Sequence, residues 1–179
     1  FSLTAHSENF SGDDFNGAWE SDGGNQKVQP VGWHALSCNA SGVFGSMKGG
    51  TVTKGGDESD ASPIIENIFA GSKGSWMTTG YVIPGILSLG NPWIYVDTNY
   101  FTAAKGDLGV DGGVEFTGRP SKITFKAQYY NAPTSDIDDA AHIKVYLWKG
   151  SAESTDISGA NHTDEMSAVL AGNAGATLI

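Results

Sequence analysis

Apolar and polar side chains alternate with a period of two along residues 121–130 and again along 140–148. Ile123, Phe125, Ala127 and Tyr129 hold one parity, and Lys122, Thr124, Lys126, Gln128 and Tyr130 the other. That is the pattern of a strand with one face in a core. In the second stretch Ile143, Val145 and Leu147 alternate with His142, Lys144, Tyr146 and Trp148, and the turn-rich Asn131-Ala132-Pro133-Thr134-Ser135-Asp136 separates the two. The pattern predicts an antiparallel pair with Phe125 opposite Leu147 and Ala127 opposite Val145, all four buried together. A slip of one residue would turn one strand's apolar face to water. Tyr130, Tyr146 and Trp148 then share the other face.

The rest of the chain carries shorter and weaker signals. Residues 1–25 read as an irregular opening with room for one strand, anchored by Phe10, Phe15 and Trp19. Lys27 to Trp33 predicts a strand ending in a turn, and Ala35 to Met47 a second. Gly49 to Pro63, with two Gly-Gly pairs and a closing proline, predicts a loop. Ile64 to Ala70 has no clear period, Trp76 to Ile83 is β-rich, and Pro84-Gly85 predicts a turn. Pro92 to Tyr100 is more specific. Ile94 and Val96 fall on one face and Trp93, Tyr95 and Asp97 on the other, with Pro92 suited to a strand start or an edge. Asp107 to Gly113 predicts a turn. Thr163-Asp164-Glu165 suits the start of a short helix through Leu170, with a strand equally compatible.

Composition turns these segments into a fold class. Glycine is abundant at 25 of 179 residues, aromatics reach 11% and charged residues only 17%. Many short strands joined by turns with positive φ account for that mix better than helices do. The expectation is a single all-β domain over residues 1–179, a β-sandwich or jelly-roll of two antiparallel sheets with little helix. The single cysteine, Cys38, excludes an internal disulfide. The sequence starts at Phe1 rather than Met and is expected to be a mature fragment from which any targeting segment has been cut, and it contains no apolar run long enough to span a bilayer. The formal net charge is −10, and Arg119 is the lone arginine. Nucleic acid is therefore not an expected partner, since affinity for phosphate comes from clustered Lys and Arg. Arg119, beside Pro120, is expected to hold a carboxylate or loop carbonyls through its planar fork.

Catalytic motifs are missing from the sequence. It has no Gly-x-Ser-x-Gly, no His-Glu-x-x-His and no P-loop, and its four histidines are scattered. Cys38 and His34 read as structural rather than as a nucleophile and base. Paired carboxylates for glycoside hydrolysis would have to come from loops, where solvent is the ordinary neighbour. Asp13, Asp14 and Glu20 form the one dense early acidic group. Solvated acids are the plainer reading of it, and a structural calcium the sharper one. Sugar binding asks for aromatic faces with hydroxyl-bonding groups beside them. Two sets have that composition, Trp93, Tyr95 and Asp97 in one and Tyr130, Tyr146 and Trp148 in the other. A protein-interaction face or a second buried layer would look the same. Trp33 suits either a sugar platform or a core plug, the plug being favoured for the apolar area it buries.

Four pieces in order carry a family resemblance. They are Trp19-Glu20 ahead of Pro30-Val31-Gly32-Trp33, then Phe116-Thr117-Gly118-Arg119-Pro120, then the strand ending Tyr129-Tyr130, and finally the acidic turn leading into His142-Ile143-Lys144-Val145-Tyr146-Leu147. Together they span most of residues 10–149. They resemble the PCMD family, a carbohydrate-metabolism domain of secreted and lipid-anchored Bacteroidetes proteins. The resemblance implies a jelly-roll similar to carbohydrate-binding modules, with further strands beyond Ile179, so that this chain would stop early. It implies a secreted or outer-membrane surface-anchored protein. The resulting expectation is a non-catalytic domain that binds a neutral glycan or polysaccharide and needs no cofactor beyond a structural calcium. The alternatives are a structural or adhesive domain meeting other cell-surface proteins and, behind it, a glycoside hydrolase.

Overall fold

The structure is a computed structural model and describes residues 15–22, 27–42, 45–57, 59–73, 78–96, 106–118, 122–123, 125–130, 140–149 and 177–178. Among the described residues every regular element is a strand, and all the ladders are antiparallel pairs. The chain is all-β in this sense.

Most ladders are local hairpins. β1 (Trp19–Asp22) pairs with β2 (Lys27–Pro30), which ends in a turn at Val31 and Gly32. β4 (Ser37–Gly42) pairs with β5 (Gly45–Gly50), and β6 (Val52–Gly55) with β7 (Ser62–Ile65). β8 (Ile68–Lys73) pairs with β9 (Thr78–Ile83), and β11 (Asn91–Val96) with β12 (Gly106–Asp111). Two short ladders reach further along the chain. β3 (His34–Ala35) meets β10 (Leu87–Ser88), and β13 (Trp148–Lys149) meets β14 (Thr177–Leu178).

The core lies between these hairpins. Leu36, Cys38 and Ile83 are buried together, and Ile68, Ile86 and Ile94 pack on them. Backbone bonds stitch the same region, from Leu36 N to Ile86 O at 2.9 Å, Thr51 N to Leu36 O at 3.2 Å and Glu66 N to Thr51 O at 2.9 Å. The buried Thr51 hydroxyl donates to Leu36 O at 2.9 Å and accepts from Ile86 N at 3.3 Å. One side chain thereby satisfies two backbone groups where water is excluded, which burial demands.

Four expectations are corrected. The stretch Gly49 to Pro63 contains paired strands, with Val52 opposite Ile65 and Thr53 opposite Ile64. Its β-branched residues pair despite the glycines around them. Asp107 to Gly113 is mostly strand β12, because Gly109 leaves room for a ring from β11. Ala35 to Met47 is divided among β3, β4 and β5 rather than running as one strand. The largest correction concerns 121–130 and 140–147. The described residues there belong to no ladder, and Phe125, Val145 and Leu147 are exposed, Phe125 at 59%. The core has formed instead from residues 36–94, and the apolar parity of these two stretches remains in solvent. Arg119 and the 163–170 segment lie outside the described residues.

Candidate functional site

β11 builds the first candidate face. Ile94 packs on the Leu36, Cys38 and Ile83 cluster, and strand alternation puts Trp93 on the opposite side. Across the ladder Trp93 stands opposite Gly109, where an added Cβ would fall 2.5 Å from Trp93 Cζ2 and 2.7 Å from Cε2. The indole therefore lies on the bare backbone of Gly109 and is half-buried there. A glycine within a strand commonly marks such a close approach. The register also sets Tyr95 opposite Asp107 and Asn91 opposite Asp111. The turn-like composition of the Asp107 to Gly113 segment had concealed this pairing, and the side chains of Asp107 and Asp111 lie outside the described residues. The side chain of Tyr95 and the whole of Asp97 lie outside the described residues.

The second predicted set is more dispersed. Tyr130 is 82% exposed, and its hydroxyl donates to Gln128 Oε1 at 3.2 Å. Tyr146 is half-buried. Trp148 belongs to β13, opposite Leu178, with its side chain outside the described residues. No ladder joins 125–130 to 140–147. The backbone pairing meant to bring Tyr130 beside Tyr146 is thus not formed.

Of the predicted calcium group, Asp13 and Asp14 lie outside the described residues. Glu20 is exposed and accepts from Gln29 Nε2, while the buried Gln29 accepts from Ala35 N at 3.0 Å. Gln29 thus ties the β1 carboxylate to the end of β3. Among the described residues no three His, Cys, Asp or Glu side chains gather as a metal-ligand set.

A third arrangement escaped the sequence reading, because its members are spread over the irregular opening and two strands. The Phe15 and Trp33 rings lie 5.3 Å apart between centroids, tilted by 49°. Trp19 Nε1 donates to Phe15 O at 3.0 Å, and Lys54 Nζ stands 5.8 Å from the Trp19 ring centroid, within cation–π range. All three rings are half-buried, so Trp33 is neither a full core plug nor a bare platform. Phe15 has φ of 59°, in the left-handed region. That conformation costs a residue with a Cβ roughly 1–2 kcal/mol, whereas an aromatic pair contributes about 0.5–1.5 kcal/mol beyond its burial. The ring contact is of the same size as the strain, and the partial burial of the Phe15 ring adds to the stabilising side. The signal available in the sequence was the recurrence of Phe15, Trp19 and Trp33 close to Gly17 and Gly32, with Pro30 directly opposite Trp19 in the ladder.

No family model matches the chain, and no curated protein and no solved structure matches it either.

Proposed function

We propose that this chain is a non-catalytic carbohydrate-binding domain of β-sandwich or jelly-roll type, with a neutral glycan as its ligand. The observation that carries the reading is Trp93, a half-buried indole seated on Gly109 opposite the core-facing Ile94. A ring supported by bare backbone is a rigid surface for the C–H face of a pyranose, and little side-chain freedom is lost when the sugar stacks on it. Asn91, exposed two residues before Trp93, shares its parity on β11 and is the hydroxyl partner of this reading. Asp97 would extend the row. Tyr130, Tyr146 and Trp148 form the secondary aromatic set of this reading. The net charge of −10 disfavours a polyanion through repulsion. The PCMD resemblance carries the same expectation, including a secreted or surface-anchored setting, and rests on the residues quoted for it.

Titration of neutral oligosaccharides by calorimetry tests the proposal, with Trp93→Ala alongside the wild type. The expected dissociation constants are micromolar to millimolar, about −8 to −4 kcal/mol. Unchanged affinity in Trp93→Ala would remove this site. A structural or adhesive role is favoured by a different observation, the exposed Ile123, Phe125, Ile143, Val145 and Leu147, since exposed apolar area of this kind marks protein contacts. Capture of a cell-surface protein that persists in Trp93→Ala but is lost in Phe125→Asp would support that second reading.

A further inference from the structure

Strand β12 and a stretch shortly after it carry matching patterns. In β12, Asp107 and Asp111 bracket Leu108, Gly109 and Val110. In Lys122-Ile123-Thr124-Phe125-Lys126, lysines stand at the two ends and Ile123 and Phe125 inside them. An antiparallel register with Leu108 opposite Phe125 sets Val110 opposite Ile123, Asp107 opposite Lys126 and Asp111 opposite Lys122. Directly opposed residues share a face of a sheet, so apolar residues meet apolar ones and each acid meets a lysine, the two kinds of pair that stabilise a ladder. A slip of one or two residues either way loses both acid–lysine pairs. The stretch 140–149 offers no such match, because Lys144 and Lys149 are five apart and fall on opposite parities.

We propose that residues 122–126 are a strap that closes on β12 of the same chain in this register, the open arrangement of the structure being its other state. In the open state Ile123 and Phe125 are exposed, at 56% and 59%, and the described residues ladder β12 to β11 alone. Closure gives those two residues a place on the core face. Ile94 stands opposite Leu108 and packs on the Leu36, Cys38 and Ile83 cluster, so the row Ile94, Leu108, Phe125 crosses a three-stranded sheet on its core side. Charge selects the same partner. Lys122, Lys126, Lys144 and Lys149 are the only charged side chains among the described residues of 122–130 and 140–149, on a chain of net charge −10, and β12 supplies acids at the spacing of the first two. The connection selects antiparallel closure within one chain. Residues 112–121 make a link of ten, short of the dozen or more that a parallel return needs, and a link that short favours the chain's own β12 over that of a second copy. Gly112 and Gly113 give the link its turn, with φ of 70° and 147° and open space where a Cβ would stand. The pairing holds whatever the Trp93 face binds.

Paired cysteines in the full chain test the closure. Asp111→Cys with Lys122→Cys puts thiols at directly opposed positions, within reach of a disulfide, whereas Asp111→Cys with Thr124→Cys is displaced by two residues. Under mild oxidation the first pair is expected to form its disulfide about tenfold faster than the second, inside a monomer, as read by non-reducing peptide mass analysis. The far end of the ladder is probed in the same reaction. Lys126→Glu is expected to slow formation of the Asp111→Cys and Lys122→Cys disulfide about threefold, and Asp107→Lys added to it is expected to restore the rate. Equal rates for the two cysteine pairs, or a disulfide found only between two chains, would overturn the proposal. So would a rate indifferent to Lys126→Glu, or a loss that Asp107→Lys fails to restore.

Discussion

Residues 34–96 and residues 113–147 are both rich in β-branched and aromatic side chains, yet they meet solvent differently. In the first region Leu36, Cys38 and Ile83 are buried, drawn from β4, β9 and the link between β3 and β4, with Ile68, Ile86 and Ile94 closing around them. In the second, Ile123, Phe125, Ile143, Val145 and Leu147 remain about half exposed although their alternation is the cleaner of the two. Alternation specifies which side chains share a face, not what covers that face. Cover in the first region comes from neighbouring hairpins and from the Thr51 hydroxyl, which links the Leu36 carbonyl to the Ile86 amide. Exposed β-prone apolar stretches also invite edge-to-edge association, and Lys122, Lys126 and Lys144 interrupt them in the manner of protective charges.

The contrast is broken most directly by a pair of truncations. Leu36→Ala, at a fully buried position, is expected to cost about 2–5 kcal/mol, whereas Phe125→Ala is expected to cost under about 1 kcal/mol. Urea unfolding of both variants measures this. Equal costs would mean that 113–147 contributes to the core as much as 34–96 does. Next in size is Gly109→Val, which drives a side chain into the Trp93 ring and is expected to cost about 1–3 kcal/mol with a shifted Trp emission. An unchanged protein would show that the indole does not rest on that backbone. Thr51→Val keeps the shape and removes the hydroxyl, leaving the Ile86 amide without that acceptor, at an expected cost of about 1–3 kcal/mol by the same unfolding assay.

The smallest effect concerns Asp57. Its carboxylate accepts from Ser59 Oγ at 2.7 Å, Ser59 N at 2.9 Å and Asp60 N at 3.0 Å. The Ser59 hydroxyl bond first, then the two backbone bonds, hold its pKa below the ordinary aspartate range. A carboxylate whose folded pKa is lowered stabilises the fold above its unfolded value, and that contribution fades as pH falls through the folded value. NMR titration is expected to place the Asp57 midpoint below those of unbonded aspartates, with Ser59→Ala moving it upward. A midpoint unmoved by that substitution would show that the hydroxyl bond is absent.

Legibility in the sequence followed the same divide. The β11 strand was readable, because Ile94 and Trp93 differ in what they seek and Pro92 marked the start. So was β2 with its turn, through Pro30 and Gly32. β12 was hidden, since Asp107, Gly109, Asp111 and two further glycines have the composition of a turn. The room that Gly109 gives Trp93 is visible only once the register is known. β6 and β7 were hidden by glycines in the same way. The aromatic set at Phe15 depends on a backbone angle and on contacts from β1 to β6, neither of which a local pattern encodes. The 121–130 and 140–147 pattern erred in the other direction, a strong local signal whose outcome depended on partners elsewhere in the chain.

The position of Cys38 gives the protein an internal clock. It is the chain's single thiol, outside any disulfide and 2% exposed within the Leu36 and Ile83 cluster. A thiol reagent in solution reaches that sulfur only when the cluster opens, so the rate of modification reports how often it does. No label has to be engineered to obtain that record. In weak denaturant the same reaction distinguishes fleeting local opening from global unfolding, since only the global process should keep pace with the equilibrium constant.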